Sequence, residues 1–350
     1  VLFRSICANV LDEDGHLPRH IATSYIKEIE DVRFLFVAAT APFTPFYRAL
    51  DWIVTDPLEA IKDEIEQRKG QYDVLIVMSH VGVFFDEKLC QEIPEIDVIL
   101  GSHTHHHFNH GEVNNGVLMA AAGKYGHYLG EVNLTIENKK VVTKEATLHP
   151  VDTLPVVKTH FDEEGKDLMN KAIINKPVSL SSKTNVITKT TYLLAESVYE
   201  FTNADCTIIN AGLIVNNVES DQLTEYDIHT MLPHPINLVR VRLKGSELKK
   251  IILKSQKQEY MYEHVQGLGF RGDIFGGYIL YKCGFIQSEH RFFVDGQEIE
   301  DNRTYILGTV DMYTFGRYFP LLKGTSIDYL MPEFLRDIFK EKLIHMHHSS

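Results

Sequence analysis

Residues 73–108 read DVLIVMSHVGVFFDEKLCQEIPEIDVILGSHTHHHF. Two apolar, β-branched runs, 73–80 and 96–103, flank a short helical stretch, 86–94, closed by Pro94. Apolar runs without alternation are expected of strands buried on both faces. Strand, helix, strand is the pattern of a parallel α/β layer. Each strand ends in a histidine, His80 and His103, and His105 follows two residues on.

Working outward, RFLFVAATA (33–41) is another strand of the same kind. Asp56-Pro57 opens a helix, with Asp as N-cap and Pro at the first helical position. Leu58, Ile61 and Ile65 then recur at helical spacing, and Gly70 ends the element. Residues 116–149 read as antiparallel strands with turns at Gly123 and at Glu137-Asn138. Periodicity lapses around 150–157, and 161–175 reads as an exposed connecting helix. A second unit then shows a helix near 191–203, strands at 206–212 and 236–243, and an amphipathic helix at 246–256. The expected division is residues 1–150, a linker with a connecting helix over 151–180, and a second α/β domain over 181–345.

A chain of 350 residues is long enough for two cores. Its formal net charge of −13 argues against a broad nucleic-acid face, because phosphate backbones attract basic surfaces. The four cysteines, Cys7, Cys90, Cys206 and Cys283, are far apart and form no CxxC, so neither a disulfide framework nor a zinc–thiolate site is indicated. No apolar run approaches the length of a membrane span. No signal peptide is visible, which fixes no compartment, and the cytoplasm is the default expectation.

The histidines are the chemical signal. In an open α/β sheet, ligands bind beyond the carboxyl ends of the strands. A lone histidine is ordinarily a surface loop residue. Three imidazoles leaving one edge of one sheet are better read as metal ligands, and His80, His103 and His105 are the candidates. His106, His107 and His110 have no strand-terminal placement and are expected on the rim, since consecutive side chains diverge.

VMSHVG (77–82), EIDVILGSHTHHHF (95–108) and AAAGKYGHYLGEVNL (120–134) together resemble the second half of a calcineurin-type metallophosphoesterase domain of the bacterial 5′-nucleotidase family. ICANVLDEDG (6–15) and the stretch around Thr40–Pro45 resemble the family between its two motif clusters. TIINAG, LPHPINLVRVRLKGSEL and GTVDMYTFG resemble its C-terminal substrate domain. The fold implied is α/β: the C-terminal part of an αββα sandwich followed by the 5′-nucleotidase-type substrate domain. The activity implied is hydrolysis of a small phosphate ester, a nucleotide above all, through water activated by two divalent metals (Mn, Zn, Fe or Co). His80 and His103 match ligands of one metal, and His105 matches a ligand of the other.

The family's first half carries an Asp-x-His pair, a bridging Asp and an Asn-His-Glu run. None of these lies within residues 1–350. Asp14-Gly15-His16 spells Asp-x-His but sits in DEDG, a turn signature. Asp73 and Asp97 open their strands, at the wrong end of the sheet. The chain is therefore expected to be N-terminally truncated, with no catalytic residue of its own, an incomplete metal site and little or no activity.

The second unit departs from the family pattern. Val215 stands where an arginine helps clamp the phosphate, and valine makes no charge-assisted hydrogen bond. Pro233-His234 replaces a Pro-Phe pair whose ring stacks on the base, and Tyr313 and Phe315 are the aromatics available nearby. Asn210, Gly212, His234, Tyr313 and Phe315 are the candidate substrate residues, with Arg317 a replacement cation. Arg271-Gly272-Asp273 reads as a loop before the strand GYILYKCGF. These departures keep two alternatives open. One is the same scaffold acting on cyclic nucleotides, nucleotide sugars or other phosphate esters. The other is a non-catalytic ligand-binding module.

Overall fold

The computed structural model describes residues 4–156, 159–265 and 267–348. The chain divides into two compact units, between residues 158 and 159.

The first unit is built on a six-stranded sheet. Its strands in chain order are β1 (Ser24–Ile29), β2 (Val32–Thr40), β3 (Val74–His80), β4 (Val98–Gly101), β5 (Glu112–Asn114) and β6 (Val117–Ala120). Across the sheet they run β1-β2-β3-β4-β6-β5. Strands β2, β3, β4 and β6 are mutually parallel, and β1 and β5 are antiparallel edges.

Helices α1 (Pro57–Gln67) and α2 (Val83–Glu92) cover one face. Leu35, Val37, Leu75, Val77 and Ile99 pack there against Leu58, Ile61, Ile65 and Leu89. On the other face Val74, Ile76 and Val98 meet Val132, Leu134, Ile136 and Val141 of a hairpin, β7 (Tyr128–Glu137) and β8 (Lys140–Pro150). Burial on both faces is why the strands read as continuous apolar runs.

Asp56 caps α1 as expected, accepting from the Leu58 and Glu59 amides. Helix α2 begins three residues earlier than the sequence suggests, because Gly82 adopts φ +111 and lets the chain turn into Val83. The expected antiparallel reading of 116–149 holds only for the hairpin, whose two-residue turn is Asn138-Lys139, both with positive φ. Val117–Ala120 instead joins the parallel sheet beside β4. Its Val117, Leu118 and Met119 are all buried, which suits a strand inside the layer.

The second unit holds helix α3 (Lys189–Thr202), strands β9 (Cys206–Asn210) and β10 (Asn237–Lys244), helix α4 (Gly245–Gln256), strands β11 (Tyr278–Tyr281), β12 (Thr304–Val310) and β13 (Ser326–Phe334), and helix α5 (Leu335–His348). The five strands are ordered β11-β9-β12-β10-β13. Leu194, Val198, Ile208, Ile209, Val239, Val241, Leu248, Ile252, Leu307 and Phe339 belong to its single core. The helix expected over 161–175 is shorter, Phe161–Met169, and Ala172–Ile174 is a strand paired with Leu223-Thr224. The run GYILYKCGF breaks at Lys282, which has positive φ. Among the described residues no helix is long and apolar enough to cross a membrane.

A buried asparagine fixes the end of β2. Asn9 donates from Nδ2 to the Thr40 and Thr55 carbonyls and accepts at Oδ1 from the Thr40 amide. Asn9→Ala would leave these backbone groups buried and unpaired, at about 1–3 kcal/mol for each lost partner. We expect a loss of about 3 kcal/mol in urea unfolding followed by circular dichroism.

Candidate metal centre and substrate-domain residues

The register of the parallel strands brings His80 and His103 to one edge. Thr40 pairs with His80 across β2 and β3, and Ser79 pairs with Gly101 across β3 and β4. His80 is therefore the last residue of its strand, and His103 follows two residues after the end of the neighbouring one. Their rings lie 5.2 Å apart, edge to face. Partial loss of water, with His80 and His105 nearby, lowers the pKa of His103 and favours its neutral imidazole. Neutral imidazole is the form that ligates a metal.

The loop that carries two of the rings is bent. His103 has φ +72 and His105 φ +57, left-handed values that non-glycine residues seldom adopt. Thr104 between them accepts from the Val83 amide at the start of α2, 3.1 Å away, which ties the loop to that helix. A side chain at Gly82 would run into Thr104, so the helix start and the histidine loop are fitted to each other.

The remaining histidines are held elsewhere. His106 contacts the Thr104 hydroxyl through Nδ1, and His107 stacks on Tyr128 with ring centroids 5.5 Å apart. His110 is exposed on the following loop. Asp14 and His16 fold around Asp12, whose carboxylate accepts from both their amides, so Asp14-Gly15-His16 is a turn. At the opening end of β3, Asp73 is paired with Arg33, which lowers its pKa to about 2. Asp97 accepts from the Leu75 amide. Among the described residues no group of three or more His, Cys, Asp or Glu side chains is arranged to hold a metal by itself.

The structure reveals one acidic residue that sequence reasoning passed over. Asp86, read only as the start of a helix, is buried in the first turn of α2. Burial raises its pKa to about 6, against the effect of the Ser79 hydroxyl. Its one sequence signal is its position, six residues after the strand-ending His80.

In the second unit, several candidate substrate residues belong to the core. Asn210 ends β9 fully buried, with Nδ2 donating to the Phe275 carbonyl and Oδ1 accepting from the Tyr313 hydroxyl at 2.8 Å. Tyr313 is 0% exposed, which removes it as a stacking surface. Gly212 follows in a turn where a Cβ would overlap the Ile274 and Phe275 carbonyls, so its role here is close packing. His234 is 1% exposed and stacked on Phe270. It donates from Nε2 to the Leu213 carbonyl and accepts at Nδ1 from the Arg271 amide. These four residues form a scaffold, whereas Phe315 is 39% exposed. Arg317 pairs with Glu263 at 2.6 Å. Arg271, Gly272 and Asp273 lie in a loop, with Asp273 bonded to His264.

Comparison with known proteins agrees with this architecture. Residues 171–322 match the model of the 5′-nucleotidase C-terminal domain. The chain is 34% identical over 361 residues to an uncharacterized metallophosphoesterase of Bacillus subtilis, YunD, covering 97% of this chain and 78% of that one. It is 26% identical over 223 residues to the trifunctional nucleotide phosphoesterase YfkN of the same organism, covering 57% of this chain and 15% of YfkN. Among solved structures, a Staphylococcus aureus chain described as a candidate 5′-nucleotidase superposes with a TM-score of 0.69 at 15% identity, covering 98% of this chain and 75% of that one. The NAD nucleotidase of Haemophilus influenzae gives 0.57 at 15% identity, covering 100% and 77%. At such identities the structural matches speak to the fold.

Burial, with Arg271 and Arg336 nearby, holds the pKa of His234 down at about 4, against 6.5 for an ordinary histidine. A depressed folded-state pKa contributes stability that is present above the unfolded value and lost as pH falls through the folded one. The shift corresponds to about 3 kcal/mol. Relative to the non-titrating His234→Gln, the wild-type protein should lose about 3 kcal/mol of unfolding free energy between pH 7 and pH 4. A pH-independent difference in urea titrations would mean that His234 is not buried as a neutral ring.

Proposed function

Since this chain belongs to the 5′-nucleotidase family of metallophosphoesterases, we propose that it serves as a metal-dependent phosphoesterase acting on nucleotides, with His80, His103 and His105 as its contribution to the metal site. The observation that carries this reading is the juxtaposition of His80 and His103, rings 5.2 Å apart, at the carboxyl ends of adjacent parallel strands. The donor chemistry fits. Imidazoles suit Mn, Zn, Fe or Co better than Mg, and the lowered pKa of His103 favours its ligating form. A pair of divalent ions supplies an activated water and positive charge against the phosphoryl oxygens.

The chain's own residues do the positioning. The strand register fixes His80, the left-handed bends at His103 and His105 aim the loop, and Thr104 anchors it to α2. In the second unit the scaffold of Asn210, Gly212, His234 and Tyr313 holds its loops in place, and Phe315 offers a face for a base.

A second reading draws on Val215. With no guanidinium at that position and Arg317 engaged by Glu263, recognition of the phosphate is altered. Cyclic nucleotides, nucleotide sugars or other phosphate esters are then the alternative substrates, and a binding module without turnover is the further one.

We expect residues 1–350 alone to show little or no turnover, and the protein supplied with the family's first-half motifs and Mn²⁺ to hydrolyse members of a nucleoside monophosphate panel and to lose that activity in a chelator. His80→Ala and His103→Ala should each lower it by about 100-fold, at least the effect of disturbing an outer partner of a metal site. His107→Ala, whose ring stacks on Tyr128, should leave it within about threefold. Preference for a bis-ester or sugar nucleotide would support the second reading. Activity indifferent to chelation and to both histidine substitutions would refute the first.

A further inference from the structure

Behind the histidines lies a buried carboxylate that the site described above does not use. Asp86 is 4% exposed. Neither its Oδ1 nor the hydroxyl of the buried Ser79 makes a hydrogen bond of full geometry among the described residues, although the hydroxyl lies close enough to hold the carboxyl pKa down. Its Oδ2 faces Gly101: a methyl group placed there would come within 2.5 Å of it. Ser79 and Gly101 are cross-strand partners, the last paired rung of β3 and β4. His80 leaves directly from one side of that rung, and His103 leaves two residues after the other.

The helix bearing Asp86 is also joined to the histidine loop at its own start, through the Val83 amide and the Thr104 hydroxyl. Asp86 therefore backs onto the strand ends while its helix holds the loop between His103 and His105.

Buried polar atoms without partners are few in native proteins, and each costs free energy. An apolar side chain would suit the first turn of α2 better if packing were its only task. We propose that Asp86 is a positioning residue of the metal site: its carboxylate sets the spacing of the strand ends that carry His80 and His103, and so the angle at which their imidazoles meet a divalent ion. Gly101 is glycine because the carboxylate occupies the space beneath it. The inference deepens the metal-site reading and rests on it for the identity of the ligand, whereas the spacing of the two rings can be measured without any metal.

The test uses Co²⁺ as probe, because its visible absorption reports ligand geometry. Asp86→Asn keeps the volume and replaces the carboxylate, and Asp86→Leu removes the polar atoms. The expected result is a melting temperature close to or above wild type in Asp86→Leu, with Co²⁺ affinity lowered about 10-fold and a shifted absorption band in both variants, as for loss of an outer partner. Wild-type affinity and spectrum in both would overturn the proposal. If Asp86→Leu does not fold, Asp86→Asn alone decides between these outcomes. Absence of Co²⁺ binding by the wild-type protein would instead refute the metal-site reading. In that case the ring resonances of His80 and His103 in metal-free Asp86→Asn decide the spacing, with His234 of the second unit as internal reference. Displaced resonances support the positioning role, and unmoved ones overturn it.

Discussion

The parallel pairing of β3 with β4 is the constraint on which the site depends. Parallel strands start at one edge and finish at the other, so consecutive strand–helix units deliver their carboxyl ends side by side. Here that rule turns two residues 23 positions apart in sequence, 80 and 103, into neighbours with rings 5.2 Å apart. The pairing itself is held by burial on both faces, with helices on one side and the 128–150 hairpin on the other. A strand slip of one residue would turn His80 to the opposite face and exchange buried for exposed side chains along the whole strand. The chemistry and the core thus share a single register.

The second unit solves a different problem. Its strand end at Asn210 opens into a tight turn, held by several polar groups that are buried and bonded. Tyr313 meets Asn210, Asn210 meets Phe275, and His234 bridges Leu213 and Arg271. Satisfied networks in a low-dielectric interior define one arrangement and penalise others. The unit therefore presents its outer residues, Phe315 among them, from a stiff base.

Much of the first unit was legible because its strands are buried on both sides and lack polar interruptions. Asp56-Pro57 announced its helix through cap chemistry, and the placement of His80 and His103 followed from counting strands. The direction of Val117–Ala120 was not legible. The unbroken apolar run from Val117 to Ala122 fits either orientation, and the partner strand decides. Helix α2 began at Val83 because Gly82 supplies a backbone turn that no apolar periodicity reveals. The substrate-domain residues were harder still. Tyr313 and His234 look like ligand contacts when set beside the family's substrate motifs. Their partners lie far off in sequence, Asn210 at a separation of 103 and Leu213 at 21. Whether a polar ring is a tool or a tie is decided by such distant partners. Asp86 was missed for the same reason, since its relation to Ser79 and Gly101 exists only once the sheet has formed.

The left-handed conformations of His103 and His105 have a consequence for how the protein can drift. Each costs on the order of 1 kcal/mol, and glycine would relieve that cost. Selection for stability alone would therefore favour glycine at positions 103 and 105. Strained residues at a functional position set stability against activity. A relative in which nothing calls for imidazoles in this loop would be expected to show glycine or asparagine at 103 and 105 before any change in the strands beneath them.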